Sequence, residues 1–221
     1  MEYIDFIGRV HQSTQRDYVG RVTSADKAEC AKVAKKFGYD FFDGDRNYGY
    51  GGYSYDGRWK AVAEQMIEHY SLESGMRILD IGCGKAHLLL EIKRLIPGIE
   101  VCGIDISEYA ITHTETDIMG SLEQGEAQDL SRYDDNSFDF VFSINALHNL
   151  KIYDLRKAIH EINRVTKGKS YIVVESWRTE EERVNMLYWQ LTCASFYDVG
   201  EWEWLYKEFG YKGDYGFIFF E

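Results

Sequence analysis

The stretch Arg77-Ile-Leu-Asp80-Ile-Gly82-Cys83-Gly84-Lys-Ala86 reads as a short apolar strand that turns through glycines straight into a helix. Glycine at 82 and 84 lets the chain turn tightly and lets a ligand approach the backbone. Similar strand-like runs recur further along at Val101–Ile106, Phe138–Ile144, Tyr171–Glu175 and Gly216–Phe220. Each is short and largely apolar, as in strands covered on both faces. Helical patterns fill the intervals at Lys85–Ile96, Glu108–Ile118, Asp154–Val165 and Glu180–Ser195, and Glu201–Phe209 precedes the last strand. A weak run, Ser121–Leu130, stands where a third strand is needed. Strands alternating with helices predict an α/β fold, a doubly wound and mostly parallel sheet with helices on both faces.

The chemistry of the loop narrows its ligand. A dinucleotide-binding loop carries G-x-G-x-x-G and seats a pyrophosphate on the helix N-terminus. Here the last of those positions is His87, and Asp80 precedes the glycines. A carboxylate there repels pyrophosphate and suits a ligand with an ammonium group. S-adenosylmethionine (SAM) carries that ammonium together with a sulfonium. With Asp80, Gly82, Cys83 and Gly84 in place, and Ala86 where a third glycine is common, the chain resembles the class I SAM-dependent methyltransferase superfamily, small bacterial type. The resemblance covers about residues 60–221 and implies a Rossmann-like fold with SAM as the cofactor.

Further motifs are similar to those of the same family. Val-Cys-Gly-Ile-Asp105-Ile106-Ser resembles its second motif, and a carboxylate at the end of that strand can accept both ribose hydroxyls. Gly-Glu-Ala-Gln128-Asp129-Leu resembles the segment that meets adenine, which makes Gln128 and Asp129 candidates. Ser137-Phe-Asp-Phe-Val-Phe-Ser-Ile-Asn145-Ala-Leu-His148-Asn149 resembles the fourth-strand motif, whose end lies beside the transferable methyl. Asn145 is a candidate for the cofactor side, and His148 for a general base, since imidazole titrates near 6.5 and can take a hydroxyl proton. Each also has a structural reading, as a packed histidine or a turn residue. Glu175, ending the fifth strand, is a candidate pocket wall. No set of metal ligands is expected.

Residues 1–60 read as a cap attached to a methyltransferase core over 61–221. Ala25–Phe37 looks like a helix with Ser24 as its N-cap and Gly38 as its stop. Asp43–Lys60, DGDRNYGYGGYSYDGRWK, holds five Tyr or Trp among glycines; aromatic residues at this density seek burial, so an ordered lid or pocket wall is expected. Trp59–Tyr70 resumes a helix. Arg58 is a candidate for the SAM carboxylate, with pairing to Asp56 as its alternative. The stretch His11-Gln-Ser-Thr-Gln-Arg16-Asp-Tyr18 and the aromatic run supply candidate acceptor contacts: Arg16, Tyr18, Arg46, Tyr50, Tyr53 and Tyr55. Arg21 belongs with the two arginines as a possible anchor for a phosphate or carboxylate.

Composition bounds the rest. The 221 residues carry 25 Lys and Arg against 37 Asp and Glu, a net charge of −12. So acidic a chain repels nucleic acid phosphates. The cap is the exception, with 10 basic against 9 acidic residues over 1–60, so an anionic acceptor is drawn mainly there. No apolar run is long enough to span a membrane, and neither a signal peptide nor a Cys-x-x-Cys pair is seen, so a reducing, cytoplasmic setting is expected. The expected function is SAM-dependent O-methylation of a small polar metabolite, sugar-type or phosphate-bearing, in a surface-glycan or nucleotide-linked pathway. The alternatives are small-molecule N-methylation, a nicotinamide-dependent oxidoreductase and a non-catalytic SAM-binding module.

Overall fold

A computed structural model describes residues 1–12, 16–115 and 117–221, with Arg9 described in its backbone only. Ser13, Thr14 and Gln15 of the His11–Tyr18 stretch, and Thr116 of the Glu108–Ile118 pattern, lie outside the described residues.

Four short helices open the chain: α1 (Gly8–Gln12), α2 (Tyr18–Thr23), α3 (Lys27–Ala34) and α4 (Tyr39–Phe42). The helix α5 (Trp59–Tyr70) leads into the alternating part: β1 (Arg77–Ile81), α6 (His87–Leu95), β2 (Glu100–Asp105), α7 (Glu108–Thr112), β3 (Leu122–Gln124), β4 (Phe140–Ile144), α8 (Ile152–Val165), β5 (Ser170–Glu175), α9 (Glu180–Trp189), α10 (Val199–Glu208) and β6 (Asp214–Ile218). The strands form one sheet in the order β3-β2-β1-β4-β5-β6, and every pairing is parallel. This is the doubly wound order, which reverses direction between β1 and β4 and opens a crevice at the strand C-termini there.

Why both faces are covered is visible in the strands. Along β5, Tyr171 and Val173 face one apolar layer, and Ile172 and Val174 face the other. The first layer includes Val62 and Met66 of α5 and Leu89 and Ile92 of α6. The second includes Ile159 and Ile162 of α8 and Trp202 and Tyr206 of α10. Period-2 alternation with both faces buried leaves the apolar run that a sequence shows. The free side of β6 is met by the N-terminus: Ile4 N–H donates to Tyr215 O at 2.8 Å, and Tyr215 N–H donates to Glu2 O at 3.0 Å. Phe6 and Ile7 continue into the first core layer. Residues 2–7 thus belong to the sheet and its core, while residues 16–58 sit over the strand ends.

Several expected boundaries shift for local reasons. The N-cap of α3 is Asp26, whose carboxylate accepts Ala28 N–H at 2.8 Å and Glu29 N–H at 3.2 Å; Ser24 instead closes α2. The α9 helix stops at Trp189, not at Ser195. Ala194 and Ser195 give their N–H groups to His148 O, at 2.9 and 2.8 Å, so this segment joins the loop after β4. Phe138 bridges to Thr166 outside β4. β3 is only three residues long, which is why its pattern was weak.

Candidate active site

A cavity of about 540 Å³ opens at the C-terminal ends of β1, β2, β4 and β5, at the sheet's switch point, where open α/β sheets bind ligands. Its floor is the glycine loop. Gly82 has φ +76°, and a Cβ there would lie 2.2 Å from the Cβ of Ala146. Only glycine fits, because the conformation is left-handed and the loop after β4 presses against it. Ala86, at φ 56°, precedes α6.

Two carboxylates rise from this floor. Asp105 Oδ2 accepts Gly84 N–H at 2.7 Å and Oδ1 accepts Ser107 N–H at 2.8 Å. Backbone amides thus fix the carboxylate in place, with further lone pairs available to a ligand. Burial raises its pKa against those two hydrogen bonds. Asp80 is 4% exposed, and its Oδ1 has no hydrogen-bond partner among the described residues. Burial, and then the nearby Asp105, push its pKa well above the usual carboxylate range. A buried carboxyl in that state is stabilised by a ligand that brings donors or positive charge. SAM brings both, with its ammonium and ribose hydroxyls, so the residues present fit the cofactor.

A second pair lies where β4 and β5 end. Asn145 adopts φ 59° and turns the chain into a short 3-10 turn, Leu147–Asn149. His148 Nε2 stands 3.5 Å from Glu175 Oε2, and the two side chains are 2% and 3% exposed. Gln190 Nε2 donates to Glu175 Oε2, and Asn145 also hydrogen-bonds this carboxyl. Burial pushes Glu175 up to about 8, against the pull of Asn145 and Arg16. Burial pushes His148 down to about 3, and its Nδ1 has no partner among the described residues. The expectation that His148 titrates near 6.5 is therefore corrected: an imidazole this buried stays neutral through that range. Burial thus favours the neutral form of both members, with Glu175 the more basic of the two.

The cap forms the remaining wall. Asp43 is its latch. Lys85 Nζ lies 2.8 and 2.6 Å from its two oxygens. Tyr109 donates its hydroxyl at 2.7 Å, and Tyr53 its N–H at 3.0 Å. Burial opposes ionisation, but these bonds prevail and hold the Asp43 carboxyl at about 2. Tyr50 and Tyr53 pack with ring centroids 4.4 Å apart, and Tyr53 stacks on His87 at 4.8 Å.

The expected residues divide clearly. Asp80, Gly82, Cys83, Gly84, Asp105, Ile106, Gln128, Asn145, His148, Glu175, Arg16, Arg46, Tyr50, Tyr53 and Arg58 all line the cavity. Arg58 does so while its guanidinium pairs with Asp56 at 2.6 Å, the alternative partner the sequence offered. Three candidates do not line the cavity. Asp129 is exposed, and its carboxylate accepts Ser131 N–H at 3.1 Å; it caps a turn, and Gly125–Gln128 line the wall instead. Tyr18 gives its hydroxyl to Glu221 O at 3.0 Å and sets its ring edge against Trp189. Tyr55 packs outside the cavity against His87, under Arg94. Sequence reasoning missed Lys85, Trp189 and Gln190. All three are held by contacts distant in sequence, and no local pattern marks them.

The profile of a methyltransferase domain matches residues 72–210, more than half of the chain. The chain belongs to the class I SAM-dependent methyltransferases. Among curated methyltransferases it is similar to a demethylmenaquinone methyltransferase of Desulfitobacterium hafniense, 33% identical over 53% of this chain and 47% of that one. It is also similar to the tRNA (carboxymethyluridine(34)-5-O)-methyltransferase of Arabidopsis thaliana, 33% identical over 66% of this chain and 34% of that one. The chain thus spans a third to a half of the length of these relatives. Among solved structures, a SAM-dependent methyltransferase from Archaeoglobus fulgidus superposes with a TM-score of 0.56 at 23% identity, covering 70% of this chain and 69% of that one. At that identity the superposition speaks to the methyltransferase fold alone. As in the rest of the family, SAM is the cofactor, and among the described residues no helix is long and apolar enough to cross a membrane.

Proposed function

We infer that this methyltransferase transfers the methyl of SAM to a hydroxyl oxygen of a small polar metabolite, of sugar type or bearing a phosphate, as surface-glycan and nucleotide-linked pathways supply. One observation carries the reading: the buried His148–Glu175 pair lies in the same cavity as Asp80 and Asp105. When bound, SAM supplies an electrophilic methyl on a sulfonium. Asp105 holds the ribose hydroxyls in this reading, Asp80 faces the ammonium, and Gly125–Gln128 border the adenine. Tyr50, Tyr53 and Trp59 line the cavity and keep water from the reacting atoms.

A hydroxyl must lose its proton as it attacks. Burial raises the Glu175 carboxyl to about 8, so above that range its carboxylate is free to accept a proton. The hydroxyl proton passes by way of His148 to the Glu175 carboxylate, the more basic of the two. A base of this kind contributes on the order of a hundredfold to ten-thousandfold. A carboxylate or phosphoryl oxygen as acceptor would leave the pair without a task. The net charge of −12 favours a small acceptor over nucleic acid, and four free thiols suit a reducing cytoplasm.

The test is methyl transfer from labelled SAM to a panel of sugars, sugar phosphates, nucleotide sugars, quinones and RNA. Transfer to oxygen of a sugar-type or phosphorylated acceptor supports the reading. Transfer to nitrogen, to a quinone or to RNA alone overturns it.

A further inference from the structure

Three arginines of the cap, two at α2 and one from the loop after α4, converge on one indole. Arg16, just ahead of α2, lies with its guanidinium carbon 5.5 Å from the ring centre of Trp189, the last residue of α9. Arg21 of α2 lies at 4.9 Å, and Arg46 of the loop after α4 lies at 5.0 Å. All four residues line the cavity.

Burial disfavours the charge on each of the three arginines, and a guanidinium stays protonated nonetheless. Among the described residues, Arg21 and Arg46 bond backbone oxygens rather than a carboxylate. Each gives one N–H to a backbone oxygen, Arg21 to Arg46 O and Arg46 to Tyr50 O. A guanidinium has five N–H donors, so most remain. Arg21 Nε is buried and has no partner among the described residues. Arg16 is steadied by His11, to whose Nδ1 and carbonyl it lies at 3.1 and 3.3 Å. Burial and Arg16 hold His11 down to about 4, so it stays neutral and adds no charge. The acids that face the cluster are Glu175 toward Arg16 and Asp45 toward Arg21. Glu175 is the carboxyl that burial keeps protonated below about 8. Burial, and then mutual repulsion through Arg46, lower the pKa of Arg21. A cluster of like charges this close is costly alone and favourable around a dianion.

Resting on the methyltransferase reading above, we propose that Arg16, Arg21 and Arg46, arranged about Trp189, form a subsite for a phosphoryl group of the methyl acceptor. A carboxylate is satisfied by one bidentate arginine. Three guanidiniums match an oxyanion with more charge and more acceptor atoms, as in a phosphate monoester or a diphosphate. The subsite also bounds the size of the acceptor. Gln190, next to Trp189, holds the Glu175 carboxyl, so the phosphoryl group and the reacting hydroxyl belong to one compact molecule.

The test uses the full chain saturated with S-adenosylhomocysteine (SAH), titrated calorimetrically with inorganic phosphate, with diphosphate and with acetate. Tighter binding of phosphate identifies a monoester subsite, and tighter binding of diphosphate a diphosphate subsite; acetate should bind at least tenfold more weakly than the better of them. Arg21→Met with Arg46→Met should weaken that anion at least tenfold and leave SAH affinity within about twofold. Arg46→Gln, at an exposed position, is the milder variant should the double one not fold, with a several-fold loss. No binding of phosphate or diphosphate by a wild-type chain that binds SAH overturns the subsite and leaves the cofactor reading intact. SAH affinity that falls with the arginines assigns the cluster to the cofactor carboxylate and also overturns it. A wild-type chain that fails to bind SAH overturns the reading beneath it.

Discussion

The two walls of the cavity carry opposite charge and are built in opposite ways. The sheet wall holds Asp80, Asp105 and Glu175, each at the end of a strand and each placed by backbone geometry that its own neighbours dictate. The cap wall holds Arg16 and Arg21, just before and within α2, and Arg46 from the loop after α4, all brought to Trp189 at the end of α9. On the proposed reading, a cationic cofactor meets the first wall and an anionic acceptor the second, with methyl transfer where the walls meet, beside His148 and Glu175. The difference teaches that cofactor chemistry can sit on rigid strand ends while acceptor specificity is carried by a cap that is latched on.

The largest effect should come from breaking the pair where the walls meet. Glu175→Gln and His148→Asn should each lower turnover at least about a hundredfold, with SAH affinity nearly unchanged. Near-native turnover in both would mean that the acceptor oxygen arrives already anionic. In the wild type, the rate should rise with pH to a plateau above about 8, because the Glu175 carboxyl must be ionised to accept the proton. A fall centred near 6.5 would return the role to an ordinary imidazole.

The same pair should leave a mark on stability, with a definite sign. The folded pKa of Glu175, about 8, lies above its usual value of 4.5. Its burial therefore costs nothing below about 4.5 and costs progressively more as pH rises through about 8. Glu175→Gln should raise the melting temperature by several degrees at pH 9 and leave it unchanged at pH 4.5. An equal shift at both would show that packing, not charge, decides.

A smaller effect is expected at the latch. Asp43→Asn keeps the shape but loses the ion pair with the buried Lys85. Amide exchange over residues 43–58 should then quicken several-fold, with α8 and β5 unchanged. Turnover should fall less than tenfold. Unchanged exchange would mean that the aromatic packing of Tyr50 and Tyr53 alone holds the cap.

These contrasts explain what could be read beforehand. The strands and the glycine loop were legible because burial on both faces and left-handed turns act over a few residues. Trp59–Tyr70 and Arg77–Ile81 were placed to the residue for that reason. Asp129 lies outside the cavity lining because a short acid near a serine caps a turn as readily as it faces a ligand. Tyr18 and Tyr55 lie outside it because a ring's propensity says nothing about which neighbour it packs on. Trp189 and Gln190 were invisible, since their roles exist only once α9 ends and residues 194–195 dock on His148.

The account's central claim is that the sheet wall is the cofactor site. Calorimetric titration of SAH into the wild type and into Asp105→Ala tests it most directly. Charge-assisted hydrogen bonds are worth roughly 1.5–3 kcal/mol, so loss of the ribose contacts should raise the dissociation constant at least about tenfold, with an unchanged far-ultraviolet spectrum showing the fold intact. Equal affinity in a folded Asp105→Ala chain would contradict the claim.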